Sequence, residues 1–147
     1  MPKALIGSIA LLLILIACNK DKFQTKPSVK IKSFTSDIVG PGGALTFTLE
    51  FTDKEGDLGE GEVTYILNRQ NTRPLGSSGV DQPDTVRNTL PEFPDHRKGE
   101  ITVNISYDFL DEDPNYNDSF LVKFAVADIK GNKSDTAIST LIIAKQN

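Results

Sequence analysis

Residues 45–51 read Leu-Thr-Phe-Thr-Leu-Glu-Phe, with every second side chain apolar and the ones between polar. Only an extended chain sends successive side chains to opposite faces, so this run is a strand with one face in a core and the other in water. The same period of two returns along most of the chain. Val29 and Ile31 alternate with lysines, Val63, Tyr65 and Leu67 keep two-residue spacing, and so do Ile101, Val103, Ile105 and Tyr107, then Phe120, Val122, Phe124 and Val126. Residues 136–144 form a last run rich in β-branched side chains. Lys30 and Lys32 mark the first run as an edge strand, because charge there resists pairing with another chain.

The punctuation between runs is that of turns. Gly40-Pro41-Gly42-Gly43 breaks any strand, and Asp128-Ile129-Lys130-Gly131-Asn132-Lys133 reads as a hairpin connection. From Asn68 to Lys98 the alternation decays among prolines and polar residues, with room for one short strand over Thr85–Leu90 that Pro91 and Pro94 would end. Helical periodicity is sustained nowhere beyond the first residues. Six to seven short antiparallel strands at this spacing predict an all-β sandwich, with a barrel as the second choice.

The N-terminus stands apart. Met1-Pro2-Lys3 is a short positive segment, and residues 4–17 are a mostly apolar run ending Leu15-Ile16-Ala17-Cys18. Such a run is shorter than the roughly 20 residues a spanning helix needs. Two apolar residues and a small one directly before Cys resemble the lipobox of bacterial lipoproteins. The resemblance implies a signal peptide over 1–17, cleavage before Cys18, and acyl chains (palmitate among them) on its thiol and on the new α-amine. Several chains together hold a protein to a membrane stably. The plainer alternative is an ordinary signal peptide with an incidental Cys; the placement of the chain's only Cys at the boundary favours lipidation. A single Cys makes no internal disulfide, so the fold stands on its hydrophobic core.

Residues 18–27 are polar and end on Pro27, as a tether lifting a domain over 28–147 off the membrane would. Asn19 differs from the Asp associated with inner-membrane retention, which points to the outer membrane, and Lys20-Asp21-Lys22 resembles surface-export signals of Bacteroidetes lipoproteins.

Three segments carry a wider resemblance: Phe51-Thr-Asp-Lys-Glu-Gly-Asp-Leu-Gly59, Lys98-Gly-Glu-Ile-Thr-Val103, and Phe124 to Thr136 with its Asp-x-x-Gly-Asn turn. Together they resemble small, uncharacterised Bacteroidetes lipoproteins with an immunoglobulin-like β-sandwich domain. The resemblance covers most of residues 29–144 and is weakest over 68–97. It implies fold and envelope location and little about activity, since such modules host many roles.

The chemistry-bearing residues gather in two acidic loops. Asp53, Glu55 and Asp57 place three carboxylates at alternate positions before Gly59. Hard cations want such oxygens, but laying the EF-hand template on Asp53 puts its Gly position on Leu58 and its closing Glu on Thr64, so this is no EF-hand. Two readings stay open: a looser calcium site, or an acidic turn in which Asp accepts bonds from its own backbone and Gly takes positive φ.

The second loop offers Asp111, Asp113, Asn115 and Asp118, a run loosely similar to the Asp-x-Asn-Asp stretch of cadherins. Strand parity decides what joins what. If Thr85–Leu90 is a strand, Asp128 approaches Asp53 and Asp57 while Asp111–Asp118 lies at the far end of the sandwich. If it is not, the two acidic loops meet and Asp128 is remote. The first arrangement is expected here.

Other chemistries find little support. His96 is the only histidine, set between Asp95 and Arg97, so zinc spacing is absent. Ser77-Ser78 has no nucleophile elbow around it, and no phosphate-binding Gly loop occurs. A formal charge of −4 without a basic stripe speaks against nucleic acid as a partner. Asp84-Thr85-Val86 and Asp135-Thr136-Ala137 are similar to the O-glycosylation pattern of Bacteroidetes. The expectation is a non-enzymatic, lipid-anchored envelope module that binds another surface protein or glycan, or serves as a structural piece, through its loop ends. The alternatives are a polysaccharide-acting enzyme or accessory, and a calcium-stabilised scaffold.

Overall fold

The computed structural model describes residues 26–93 and 97–146. The expected signal peptide over 1–17, Cys18, most of the expected tether and His96 lie outside the described residues. The strands are β1 (Ser28–Phe34), β2 (Ile38–Val39), β3 (Ala44–Thr52), β4 (Glu62–Arg69), β5 (Thr85–Thr89), β6 (Lys98–Ser106), β7 (Asp118–Ala127) and β8 (Ala137–Ala144), with a single helical turn α1 (Tyr107–Leu110) between β6 and β7. Among these residues no helix is long and apolar enough to cross a membrane.

The strands form two sheets, ordered β1-β3-β6 and β2-β8-β7-β4-β5. All pairs are antiparallel except β2 with β8. With β3 and β6 in one sheet and β4, β7 and β8 in the other, this is the strand order of an immunoglobulin-like sandwich. Constant-type immunoglobulin domains carry a further strand outside the one that corresponds to β6; among the described residues that sheet stops at β6.

Eight strands exceed the six to seven expected from periodicity. The addition is β2, whose two residues have no period to read, and its pairing with β8 is parallel where only antiparallel pairs were expected. The run ending in Tyr107 also differs: β6 stops at Ser106, and Tyr107 is buried from α1 instead.

The core follows the alternation. Leu45, Phe47, Leu49 and Phe51 of β3 face Phe120, Val122, Phe124 and Val126 of β7, all essentially inaccessible to water. Phe47 meets Phe124 edge-on with ring centroids 4.8 Å apart, and Tyr65 of β4 lies 6.2 Å from Phe124. In antibody domains the strands corresponding to β3 and β7 carry the inter-sheet disulfide. An aromatic pair pins the sheets here, contributing about 0.5–1.5 kcal/mol beyond the area it buries.

The two outer faces differ. On the three-stranded sheet Thr46, Thr48, Thr102 and Asn104 look outward, with Lys30, Glu50 and Glu100 beside them. On the five-stranded sheet Ile38 pairs with Ile143, Leu121 with Leu141, and Ile66 and Ile138 flank Lys123. Ile38, Ile66, Ile138 and Leu141 are each between 38% and 55% exposed.

Candidate functional site

β5 forms a strand, and the chain therefore reverses once more between β4 and β6. That parity places the β3–β4 loop and the β7–β8 loop side by side. Ile129 N–H donates to the Asp57 carbonyl at 3.3 Å. The α1–β7 loop, with Asp111, Asp113, Asn115 and Asp118, sits at the opposite end beside the close of β4 at Arg69.

The two adjacent loops are built alike. In Asp53-Lys-Glu-Gly-Asp57, the Asp53 carboxylate accepts from Glu55 N–H at 3.3 Å and Asp57 N–H at 2.9 Å. In Asp128-Ile-Lys-Gly-Asn132, the Asp128 carboxylate accepts from Lys130 N–H at 2.9 Å and Asn132 N–H at 2.8 Å, and from the Asn132 side chain at 2.8 Å. Each loop then turns on a glycine at positive φ, 73° at Gly56 and 84° at Gly131, where a Cβ would be strained. Asp53 and Asp128 are thus buried turn organisers, with their oxygens committed to their own loops.

Equivalent positions in the two loops hold Glu55 and Lys130, and these face each other. Lys130 Nζ lies 2.7 Å from Glu55 Oε2 and 2.8 Å from Asp57 Oδ2. Lys130 holds the Asp57 carboxyl below its usual range, while desolvation pushes Asp53 up. The Lys130 ammonium is raised above its ordinary value by Asp57 and Glu55. The structure brings Glu55 and Asp57 together around an ammonium of the chain itself. Among the described residues no group of three or more Asp, Glu, His or Cys is arranged to hold a metal.

The opposite end neutralises its acids differently. Asp118, the first residue of β7, is fully buried. Its Oδ1 accepts from Arg69 Nε at 3.1 Å and Nη2 at 2.9 Å, and its Oδ2 accepts from the N–H groups of Glu112 at 2.8 Å and Asp113 at 2.7 Å. Arg69 Nε also lies 3.3 Å from the buried Glu112 carboxylate. Desolvation, with Asp118 close by, raises the Glu112 carboxyl above its ordinary value. Asp113 pairs with Arg73 at 3.5 Å, and the Arg73 guanidinium lies 3.3 Å over the Tyr116 ring. Asn115 N–H donates to Asp113 at 3.1 Å, and Gln146 donates to Asp111. These acids are bound to the chain's own donors.

Sequence reading did not single out Arg69, Arg73, Glu112 or Lys130. The signal for Arg69 is slight: a basic residue closing one strand where an acidic residue opens its antiparallel neighbour. Lys130 had a clearer one, the repeated Asp-x-x-Gly pattern in the two loops.

A groove of about 440 Å³ opens between β5 and β6. It is lined by Tyr65, Val86, Phe93, Ile101 and Val103 and carries one carboxylate, Glu100, which is paired with Lys32. Glycoside hydrolysis uses two carboxylates across the scissile bond, and the groove lining offers one.

No protein-family model matches the chain, and no curated protein does. Among solved structures, the chain is similar to the PKD domain of an M14-like peptidase from Thermoplasmatales archaeon SCGC AB-540-F20. The similarity has 14% identity and a TM-score of 0.40, covering 80% of this chain and 90% of that one. The fold class rests on the strand order, and the two-sheet all-β architecture of an immunoglobulin-like domain is what the chain has.

Proposed function

We propose that this immunoglobulin-like domain is a non-catalytic binding or structural module of the cell envelope, held to the outer membrane through lipidated Cys18, and that it contacts its neighbour through the outer face of the five-stranded sheet. The observation that carries this reading is the contrast between the two outer faces. Ile38, Ile66, Leu121, Ile138, Leu141 and Ile143 share one face, with Lys123 set between Ile66 and Ile138, while the other is covered with Thr, Asn, Lys and Glu. A solvated antiparallel sheet face is ordinarily polar, and a contiguous aliphatic one marks a contact surface. On this reading the contact surface is a sheet face, where the sequence pointed to the loop ends. The paired loops support the reading, because Lys130 already answers the acidic charge that calcium would otherwise neutralise. Thr85 and Thr136 are exposed, as acceptors of O-glycans would be.

The test is a photo-cross-linking residue placed at Leu141, with Thr48 as the control on the opposite face, in cells that make the full chain. A discrete adduct at Leu141 and none at Thr48 is expected. Equal yields at both positions would remove the assignment of the face. For the anchor, Cys18→Ser should release the protein from the membrane fraction, and retention of the variant there would overturn lipidation. A melting midpoint unchanged between calcium and chelator, in wild type and in Asp53→Ala, is expected; a calcium-dependent rise would instead favour the calcium-stabilised scaffold.

A further inference from the structure

A sheet edge is a row of unpaired N–H and C=O groups, and proteins blunt their edges with short strands, bulges, lysines or prolines. Three of the four edges here are blunted. β1 carries Lys30 and Lys32 and a register shift between Ile31 and Ser33. β2 has two residues. β5 has five, places Arg87 at its centre, and is closed by Pro91 two residues on. The fourth edge, β6, runs nine residues in unbroken register against β3, and its only charges, Lys98 and Glu100, sit at one end.

The register shows which groups of β6 are open. Asp53 N–H donates to the Arg97 carbonyl at 2.8 Å and Tyr107 N–H to the Gly43 carbonyl at 2.9 Å, which marks the odd-numbered residues as the hydrogen-bonded partners of β3. Lys98, Glu100, Thr102, Asn104 and Ser106 therefore turn their backbone N–H and C=O outward, and among the described residues no backbone group pairs with them.

We infer that β6 is a self-association edge: two copies of this chain join β6 to β6 in antiparallel fashion, making one continuous six-stranded sheet. The sequence of the strand is complementary to itself in one register. With the two-fold axis between the two Thr102 residues, Lys98 faces the partner's Ser106, Glu100 faces the partner's Asn104, and Thr102 faces Thr102 of the partner subunit. All five outward residues pair, and no like charges oppose one another. Shifting the axis to Glu100 would set two carboxylates directly against each other and leave Asn104 and Ser106 unpaired. Directly opposed Thr pairs are favourable across antiparallel strands.

The test uses the full chain in detergent, with the mass followed by sedimentation over a range of concentrations. Wild type should show a monomer–dimer equilibrium, and a monomer at every concentration would overturn the proposal. Asn104→Glu places two new like-charge pairs against Glu100 in this register and should weaken dimerisation on the order of threefold to tenfold, whereas Asn104→Lys should strengthen it. The two variants meet the Thr46 hydroxyl differently, a carboxylate accepting from it and an ammonium only donating, so the melting midpoint of each monomer is read beside its mass to separate folding from association. In a Cys18→Ser background, a short thiol cross-linker should join Thr102→Cys copies and leave Thr48→Cys copies, one strand further in, unjoined. Equal joining of both, or equal effects of the two Asn104 variants, would overturn the register. A chain that stays monomeric yet takes up an added extended apolar peptide along β6 would replace self-association with a foreign strand.

Discussion

Both ends of the sandwich hold more carboxylates than cations, yet they are held in different ways. At the end formed by the β3–β4 and β7–β8 loops, the cation is Lys130, whose side chain is 58% exposed, and the buried acids Asp53 and Asp128 spend their oxygens on their own turns. At the other end the cation is Arg69, 16% exposed, and its partner Asp118 is wholly buried between two backbone N–H groups and the guanidinium. An exposed pair gives up little when broken because water and salt replace it. A buried one leaves an uncompensated charge. Depth, and not the number of acids, decides which end governs stability.

The largest effect should therefore come from Asp118→Ala. It orphans two N–H groups and leaves Glu112 as the one carboxylate beside Arg69, at a cost of about 3–5 kcal/mol, read as a fall in melting midpoint on the order of 10–20 °C. A fall of only a few degrees would erase the distinction between the ends. Next, Asp53→Ala and Asp128→Ala should each cost about 1–2 kcal/mol, because each removes the acceptor of two loop N–H groups that water can partly reach. Similar losses from the two are expected from the likeness of the loops.

The pH response separates the ends further. Glu112 has a folded-state pKa above its unfolded value near 4.5. Its ionised form therefore opposes folding, and the associated stability is full below the unfolded pKa and lost as pH rises through the folded one. Glu112→Gln should raise the midpoint at pH 7, with the gain fading towards pH 4.5. Asp57 is shifted the other way, so its contribution is present above the unfolded value and lost as pH falls through the folded one. The smallest effect is expected from Glu55→Gln, which removes one exposed pair and leaves Lys130 on Asp57. A midpoint close to wild type that converges with it in high salt is the outcome to look for, and a large loss would show that the exposed end governs stability after all.

The sandwich was legible because alternation survives wherever one strand face is buried, as in Leu45–Phe51 and Phe120–Val126. The pairing of Asp128 with the Asp53 loop was legible too, but only through the parity contributed by β5, a strand with little alternation and mostly exposed residues. β2 was beyond reach, since two residues carry no period. Arg69 was hidden for a different reason: its partner is 49 residues away, and only the β4–β7 register brings them together. The aliphatic outer face escaped notice because Ile66, Leu121 and Leu141 occupy polar-side positions of strands whose inward residues already satisfied the pattern.

The parallel pairing of β2 with β8 has a mechanical consequence. Ile143 N–H donates to the Asp37 carbonyl and Lys145 N–H to the Val39 carbonyl, both at 2.8 Å, so the strand that follows β1 and the last strand are stitched side by side in the same direction. Tension applied between the two ends runs along these strands and loads the stitches together in shear, where an antiparallel pair pulled from one end would peel open bond by bond. Stretched between residues 28 and 146, single molecules should yield at a higher force than when pulled between residues 69 and 118, where two antiparallel neighbours open like a zip. A domain hung from one end and loaded at the other would carry its strain on the two-residue strand that the sequence conceals best.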